Sequence, residues 1–387
     1  MRSLRERLNA VASAPRKSQM REQKQDAPFF CRESVVPLDQ LKGIEYTTLQ
    51  EIRSCDPTFS ADSWDVNRLL FLDTETTGLN GGAGTVAFEI GLGWIERRGM
   101  VIRQYVMRDY HEEAAMLEEI AGLFRRFDTV VSFNGKSFDL PLLESRMTMN
   151  RIRLPVTSWA HFDLLHAARR VYKLRLGRCN LSRLEAVVFA REREDDLPGA
   201  QVPQRYFDYL KTKEFALLED VLAHNMQDVR SLAELTGHLC AVFRNPGMLS
   251  HQEDVFCVGK TLLRTGNKDK GRNCLRIISC STLSAQAHMH LSLSYKKEKD
   301  WQQACASWDD MISRAEGGVF PYVEAAKYHE HISKNYEMAL DYAMRALSYT
   351  LNQSLLTDDK RDETEKLMKR IARLKAKIGR DLKKRGI

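Results

Sequence analysis

The 387-residue chain has no long apolar run and no CxxC cysteine pair. No apolar stretch approaches the roughly 20 residues that a membrane-spanning helix needs, so no membrane association is expected. Charged residues precede only a short, weakly apolar stretch at the N-terminus, which makes a poor secretory signal. The sequence therefore predicts a cytoplasmic protein.

The eight cysteines show no zinc-site spacing, because no matching pair of histidines or cysteines accompanies them. Without an export signal, they predict reduced thiols rather than a disulfide framework. Hydrophobic residues make up 43% of the chain and charged residues 29%, as in ordinary globular proteins. This composition excludes wholesale disorder, and the length suggests two or three domains.

Positive charge is concentrated at the two ends of the chain. Residues 1–25 carry a balance of +5 and residues 357–387 a balance of +6, which leaves −4 for the rest. Clustered lysines and arginines release counterions from a phosphate backbone, so the pattern is compatible with a nucleic-acid partner. Solvated basic tails would give the same pattern.

Composition and periodicity divide the chain into three regions. Residues 1–27 are polar and predict a basic mobile arm, followed by an extended segment that packs on the next domain. Residues 28–245 alternate apolar runs with helical patterns, which predicts an α/β domain with a mixed sheet and flanking helices. A break at Asn245-Pro246-Gly247 ends this domain. Residues 246–387 have only helical patterns and end in a basic helix.

The α/β region begins with a buried strand at 69–74, whose residues are LLFLDT. Strand-like segments at 86–96 and 100–107 predict a hairpin, and further short strands are predicted at 129–133 and near 159–162. The predicted helices of this region lie at 111–127, 138–149, 163–172, 180–190, 203–212 and 214–243.

Three positions of the last region recur 35 residues further on. The recurrences pair Trp301 with Tyr336, Ala304 with Ala339, and Trp308 with Ala343. This period and pattern resemble the helical hairpins of tetratricopeptide repeats, which predicts an all-α domain of that kind. An unrelated helical bundle is the alternative.

Asp73 and Glu75 stand where the predicted buried strand ends. Alternate residues of a strand project to the same side, so the two carboxylates point to one place. Two acids beside an apolar strand are costly unless a cation neutralises them, and their hard oxygen atoms suit Mg²⁺ or Mn²⁺. For an isolated pair, surface or helix-capping acids are the alternative.

Two later motifs add acids to this pair. Asp139 follows a predicted strand within the segment Asn134–Pro141 and stands at a helix start, where it could also act as an N-cap. His224 and Asp228 are four residues apart on the long helix, so they share one helical face.

Taken in order, the three motifs resemble the DEDD exonucleases of the ribonuclease H-like fold. The amino-acid sequences of several segments more specifically resemble the bacterial YprB family (mitomycin repair factor B). These segments are FLDTETTGL, FNGKSFDLP, GGAGT at 81–85, FDLLHAARR at 162–170, CNLSRLE at 179–185, DDLPG at 195–199 and HNMQDVRSL at 224–232. The resemblance covers residues 28–245 well and the helical region loosely.

The resemblance implies a metal-dependent 3′→5′ exonuclease that hydrolyses DNA by a two-metal-ion mechanism, in DNA repair. The implied ligands of two Mg²⁺ or Mn²⁺ ions are Asp73, Glu75, Asp139 and Asp228. His224 matches the general base, and histidine exchanges protons near neutral pH. It stands four rather than five positions before the last acid, so it either acts as the base or only orients the attacking water.

Substrate contacts are expected beside these acids. The expected nucleic-acid-binding residues are Thr76, Thr77, Gly78, Leu79, Asn134, Lys136 and Phe138, each of which also has a purely structural explanation. The extra acids Asp163, Asp195 and Asp196 are interpreted as structural or loop-ordering.

The resemblance also implies two partners, the 3′ end of DNA and a helicase bound through the helical repeats. Two other functions stay open, an RNA 3′ exonuclease on the same fold and a non-catalytic adaptor with a decayed nuclease domain. Because all four acids are present, the sequence argues against decay.

Overall fold

The structure is a computed structural model that describes residues 20–22, 27–41, 43–78, 84–153, 159–193, 197–352 and 358–385. The chain divides into two compact units, residues 1–248 and 249–387. None of the helices in the described ranges combines the length and the apolarity needed to cross a membrane.

A seven-stranded mixed sheet forms the centre of the first unit. Its strands are β1 (Met20–Glu22), β2 (Phe30–Val36), β3 (Leu69–Thr76), β4 (Ala87–Glu96), β5 (Gly99–Val106), β6 (Thr129–Ser132) and β7 (Ala160–Asp163). The spatial order is β1-β2-β5-β4-β3-β6-β7. β3 is antiparallel to β4 and parallel to β6, which is parallel to β7. The carboxyl ends of β3, β6 and β7 therefore share one edge of the sheet.

Seven helices accompany the sheet within the described part of this unit. They are α1 (Leu49–Cys55), α2 (Glu113–Phe124), α3 (Asp139–Met149), α4 (Leu164–Leu176), α5 (Leu181–Phe189), α6 (Val202–Thr212) and α7 (Glu219–Arg244). The predicted mixed sheet with flanking helices is confirmed.

Three elements near the N-terminus differ from the sequence prediction. Residues 20–22, inside the predicted mobile arm, form β1, while residues 1–19 and 23–26 lie outside the described residues. The segment predicted to pack on the next domain is itself strand β2 of that domain's sheet, paired with β5 along its length. The helix α1 was not predicted, because its seven residues are too few to show helical periodicity.

Packing on both faces buries β3. On one face, Leu70 and Leu72 belong to the main hydrophobic core together with residues of α2. The other face meets α7, whose close approach depends on two glycines of β4. A Cβ atom at Gly91 would lie 2.1 Å from Oδ1 of Asn225, and the one at Gly93 would lie 2.7 Å from a Val229 methyl carbon. These missing side chains allow α7 to bring its polar residues to the end of β3.

The second unit consists of helices in the part of it that the structure describes. They are α8 (Gln252–Arg264), α9 (Lys268–Arg276), α10 (Ser284–Lys297), α11 (Trp301–Ser313), α12 (Phe320–His331), α13 (Tyr336–Leu351) and α14 (Asp358–Arg385). Each helix packs against the next one along the chain. The predicted helical composition of this region is confirmed.

One turn conformation recurs before α9, α11 and α13. A residue with left-handed backbone geometry precedes the N-cap residue in each case, and the three are Gly266 (φ 91°), Lys299 (φ 61°) and Lys334 (φ 57°). The N-caps that follow are Asn267, Asp300 and Asn335. Ala304 and Ala339, at the same position within their helices, are both fully buried. The recurrence seen in the sequence thus corresponds to a repeated local structure.

The basic helix α14 is anchored on one buried acid. Glu330 of α12 is fully buried and accepts hydrogen bonds from Arg370 (2.6 Å), Arg373 (2.8 Å) and Lys377 (2.8 Å). Burial alone would raise the pKa of Glu330, but the bonds from Arg373 and Lys377 outweigh it and lower the pKa to about 2. Part of the basic face of this predicted C-terminal helix is therefore used for packing.

We expect Glu330→Gln to loosen α14, because the three cations lose their shared carboxylate. Hydrogen exchange of α14 amides should show a loss of roughly 1.5–3 kcal/mol, the range for hydrogen bonds to charged groups. The pKa of Glu330 in the folded protein lies below its ordinary value of 4.5. The wild type should therefore exceed Glu330→Gln in stability by the full amount above about pH 4.5, and this difference should shrink towards pH 2. Exposed Glu337 on α13 supplies the control, Glu337→Gln, and equal exchange in the two variants would contradict the prediction.

Candidate active site

Asp73 and Glu75 lie at the end of β3, on the face that meets α7. The amide Nδ2 of Asn225 donates to Oδ2 of Asp73 at 2.9 Å. Burial raises the pKa of Asp73 well above its usual range, and the charges of Asp228, Glu75 and Asp139 raise it further. The four acids singled out in the sequence are therefore close enough to act on one another.

Asp139 is the first residue of α3 and is buried. The Thr74 hydroxyl donates to Oδ1 of Asp139 at 2.5 Å, which ties the helix start to β3. Burial raises the pKa of Asp139 to about 6. The loop before it passes so close that a Cβ atom at Gly135 would lie 3.0 Å from Oδ2 of Asp139.

Asp228 on α7 has an arginine partner that the sequence analysis did not identify. Arg193, whose side chain is 9% exposed, forms ion pairs with both Asp228 and the fully buried Glu185, the latter at 2.5 Å. Burial raises the pKa of Asp228, although the Arg193 charge opposes this shift. Arg193 thus supplies positive charge at the acidic cluster.

His224 lies between two of the acids. Its Nε2 atom is 3.9 Å from Oε1 of Glu75 and 3.7 Å from Oδ2 of Asp228. Nη1 of Arg193 is 3.4 Å from Nδ1 of the imidazole. A guanidinium can only donate, so Nδ1 is the acceptor in this contact. Nε2 faces the two carboxylates, which places the imidazole beside Glu75 and Asp228.

A fifth carboxyl group, Glu89, lies beside the site. Glu89 on β4 is directly opposite Glu75 on β3 and is 1% exposed. Nε2 of Gln104 donates to Oε1 of Glu89 at 2.9 Å. Burial raises the pKa of Glu89 to about 8, so at neutral pH this group is uncharged and adds no repulsion.

The residues after Glu75 form a local turn. The Thr76 hydroxyl donates to the carbonyl oxygen of Gly78 at 2.8 Å, and the Thr77 hydroxyl accepts from the amide of Val86 at 3.0 Å. Leu79 lies outside the described residues. Two of the expected substrate contacts therefore have a structural role here.

The loop between β6 and α3 is ordered by Asp163. Its carboxylate accepts from the backbone amides of Asn134 at 2.9 Å, Lys136 at 3.2 Å and Leu165 at 3.1 Å. The loop-ordering interpretation of Asp163 is confirmed, whereas Asp195 and Asp196 lie outside the described residues.

The side chains of this loop are available at the surface to different extents. Asn134 and Lys136 are exposed, and Phe138 is half-buried beside Asp139. Asn134 has a φ of 69°, a left-handed conformation that asparagine tolerates better than most residues.

Hard oxygen donors make the cluster chemically suited to a divalent cation. Among the described side chains, no three histidine, cysteine, aspartate or glutamate groups are placed so as to hold a metal ion as they stand. Instead, Asn225, Thr74 and Arg193 donate to Asp73, Asp139 and Asp228 respectively. Four carboxylates, three of which raise the pKa of the fourth, Asp73, are nevertheless the donor set that Mg²⁺ and Mn²⁺ prefer.

Comparison with known proteins agrees with this geometry. Residues 70–240 match the RNase H superfamily. The protein YprB of Bacillus subtilis (strain 168) is 32% identical over 367 residues, which cover 91% of this chain and 87% of that protein. This chain belongs to the YprB family. The resemblance noted in the sequence is thereby confirmed, and the YprB match extends through both units.

A solved structure gives a much weaker match to this YprB-family chain. The family B DNA polymerase from the hyperthermophilic archaeon Pyrobaculum calidifontis matches with a TM-score of 0.34 and 16% identity. The match covers 55% of this chain and 30% of the polymerase. A similarity at this level bears on neither fold nor function.

Some members of the site could have been found in the sequence and others could not. Thr74 and Asn225 stand within the DTE and HNMQD motifs, and Glu185 ends the CNLSRLE segment. Arg193 has no comparable signal, because Arg191 stands in the same REREDD segment and spacing alone does not distinguish the two.

We expect Arg193→Gln to destabilise the first unit in EDTA by roughly 3–5 kcal/mol, the cost of breaking a buried ion pair. Glu185 and Asp228 would both lose their cation. Urea denaturation measures the loss, with exposed Arg183 as the control in Arg183→Gln. Added Mn²⁺ should stabilise Arg193→Gln more than it stabilises the wild type, because the metal ion would replace the positive charge that Arg193 supplies to the acids. Equal stabilities of the two variants in EDTA would show that Arg193 does not balance the cluster.

We expect Glu89→Gln to become stabilising relative to the wild type as the pH rises. The folded protein holds the Glu89 proton up to about pH 8, whereas the unfolded chain releases it near 4.5. Wild-type stability therefore falls across this window, and the neutral amide avoids the loss. Denaturant midpoints at pH 5 and pH 8 measure the difference, and a constant difference would contradict the assignment.

Proposed function

We propose that the first unit is a metal-dependent 3′→5′ exonuclease that hydrolyses DNA, with a role in DNA repair. The observation that supports this is the clustering of Asp73 with Glu75, Asp139 and Asp228 from three separate elements. Buried like charges are costly, and such a cluster is suited to holding cations. Hydrolysis of phosphodiester bonds is one of the reactions that use two such cations side by side.

The four acids would hold two Mg²⁺ or Mn²⁺ ions. Ions bound there would lower the pKa of the attacking water and stabilise charge on the leaving oxygen. Asn225 orients Asp73 through its 2.9 Å hydrogen bond, and Thr74 orients Asp139. His224, with Nε2 near Glu75 and Asp228, would position the attacking water or accept its proton.

The 3′ end of the strand would lie against the turn that follows Glu75. Thr76, Thr77, Gly78 and Leu79 belong to this turn in the sequence, and Lys136 and Phe138 flank Asp139 with a positive charge and a stacking face. Asn134 would contribute an exposed amide. The direction of digestion is supported by the DEDD resemblance.

The second unit would be a tetratricopeptide-type array that binds a helicase. The repeated turn before α9, α11 and α13 supports the repeat assignment. The family resemblance supports the helicase, and a cytoplasmic, nucleoid-associated location follows from a DNA substrate.

End-labelled oligonucleotides test the activity directly. Wild-type protein with Mn²⁺ or Mg²⁺ should release mononucleotides from the 3′ end of single-stranded DNA, and a blocked 3′ end should prevent release. A blocked 5′ end should have no effect. Digestion of the matched RNA alone, or release from the 5′ end, would refute the proposal.

We expect Asp73→Asn to reduce digestion by about 10²–10³-fold or more, the effect of removing one electrostatic stabiliser of the transition state. Its melting temperature in EDTA should be unchanged or raised, because a buried like charge is lost while Asn225 keeps an acceptor. Asp62→Asn, at a fully exposed acid, is the control and should match the wild type. Near-normal digestion by Asp73→Asn would remove Asp73 from the proposed ligand set.

A further inference from the structure

A groove at the carboxyl edge of the sheet carries positive charge that the acidic cluster does not use. It has a volume of about 500 Å³ and is lined by residues that follow β6 and β7, by one face of α4 and by the turn before α5. Its polar and aromatic lining includes Phe133, Asn134, Arg169, Lys173, Arg178 and Asn180. None of the described residues that line it is acidic.

The position of the groove follows from the strand directions. β3, β6 and β7 are parallel, so their carboxyl ends share the edge where Asp73 and Glu75 lie. Phe133 and Asn134 follow β6, and Leu165 lies just past the end of β7. Ligands of open α/β sheets bind outside the carboxyl ends of the strands. The groove and the acids thus belong to the same functional edge.

The three cations of the groove have no structural task in the described part of the chain. Arg169, Lys173 and Arg178 are exposed, and none of them forms an ion pair with a described acid. Arg169 and Lys173 are four residues apart on α4, a spacing at which like charges destabilise a helix by a few tenths of a kcal/mol. The neighbouring Arg170 differs, because it bonds to the Cys55 carbonyl oxygen at 2.9 Å and to Asp56 at 3.3 Å.

We propose that this groove binds the phosphate backbone of the single-stranded DNA whose 3′ end enters the acidic site. Arg169, Lys173 and Arg178 would contact phosphates, and the half-buried ring of Phe133 and the amide of Asn134 would contact the nucleotide nearest the loop. The proposal rests on the proposed exonuclease function and names where the strand lies on the protein.

Phosphate contacts predict a salt dependence that a structural role would not produce. Each contact to a single strand contributes about −0.7 to the slope of log K against log salt concentration. Loss of two contacts should therefore reduce the steepness by about 1.4 and weaken binding roughly tenfold near 0.1 M salt.

The test is fluorescence anisotropy of a labelled oligothymidylate in EDTA, where binding is measured without cleavage. We expect Arg169→Gln/Arg178→Gln to lose about tenfold in affinity and about 1.4 in slope, with Lys173→Gln as an independent single variant losing about half as much in slope. The matched control is Arg97→Gln/Arg153→Gln, which removes two exposed arginines beyond the opposite edge of the sheet. The control should bind like the wild type.

If Arg169→Gln/Arg178→Gln and the control show equal affinity and equal slope, the proposal that the groove binds DNA is refuted, and the exonuclease proposal is unaffected. An effect confined to the matched RNA, or no binding by the wild type, would also overturn the groove proposal. Conversely, a reduced slope in a protein that digests no labelled DNA with either metal would support the groove and refute the nuclease assignment.

Discussion

Repulsion among carboxylates at the end of β3 is the constraint around which the first unit is organised. Asp73, Glu75 and Asp228 approach one another because a buried strand and a long helix meet there. The structure reduces the cost by giving Asp73, Asp139 and Asp228 each a donor, namely Asn225, Thr74 and Arg193. Since all three donors come from different elements, the acidic cluster is held by the tertiary structure rather than by any single motif.

Small residues make this approach of charges possible. The α7 helix can bring Asn225 to β3 only because β4 has glycine at positions 91 and 93, opposite Asp73 and Phe71. Gly135 similarly leaves room beside Asp139. Packing and electrostatics are therefore linked at this edge, because a larger side chain at any of these glycines would move a carboxylate or its donor.

The positions of five of the seven strands and of most helices could be predicted from the sequence, since apolar runs and helical periodicity are local signals. The four acids were singled out by their motifs and by the family resemblance. Arg193 could not be predicted, because its role depends on contacts with Glu185 and Asp228 that only the fold brings together. The pKa shift of Glu89 was also missed, since burial of a polar residue within the apolar run VAFEIGLG depends on what covers the strand. In the second unit, the repeat was visible because each repeat depends mainly on local turn geometry and neighbouring helices.

The two kinds of charge at the carboxyl edge have complementary physical effects on a polyanion. Four carboxylates repel a phosphate backbone, so they cannot hold a strand without cations of their own. The cations along α4 and the following turn attract the backbone whether or not a metal ion is present. Because these charges are separated along one edge, strand binding and bond cleavage would depend on different groups in the proposed enzyme. A strand held by α4 would remain bound in chelator, while cleavage would stop, because only the acidic cluster needs divalent ions to offset its charge.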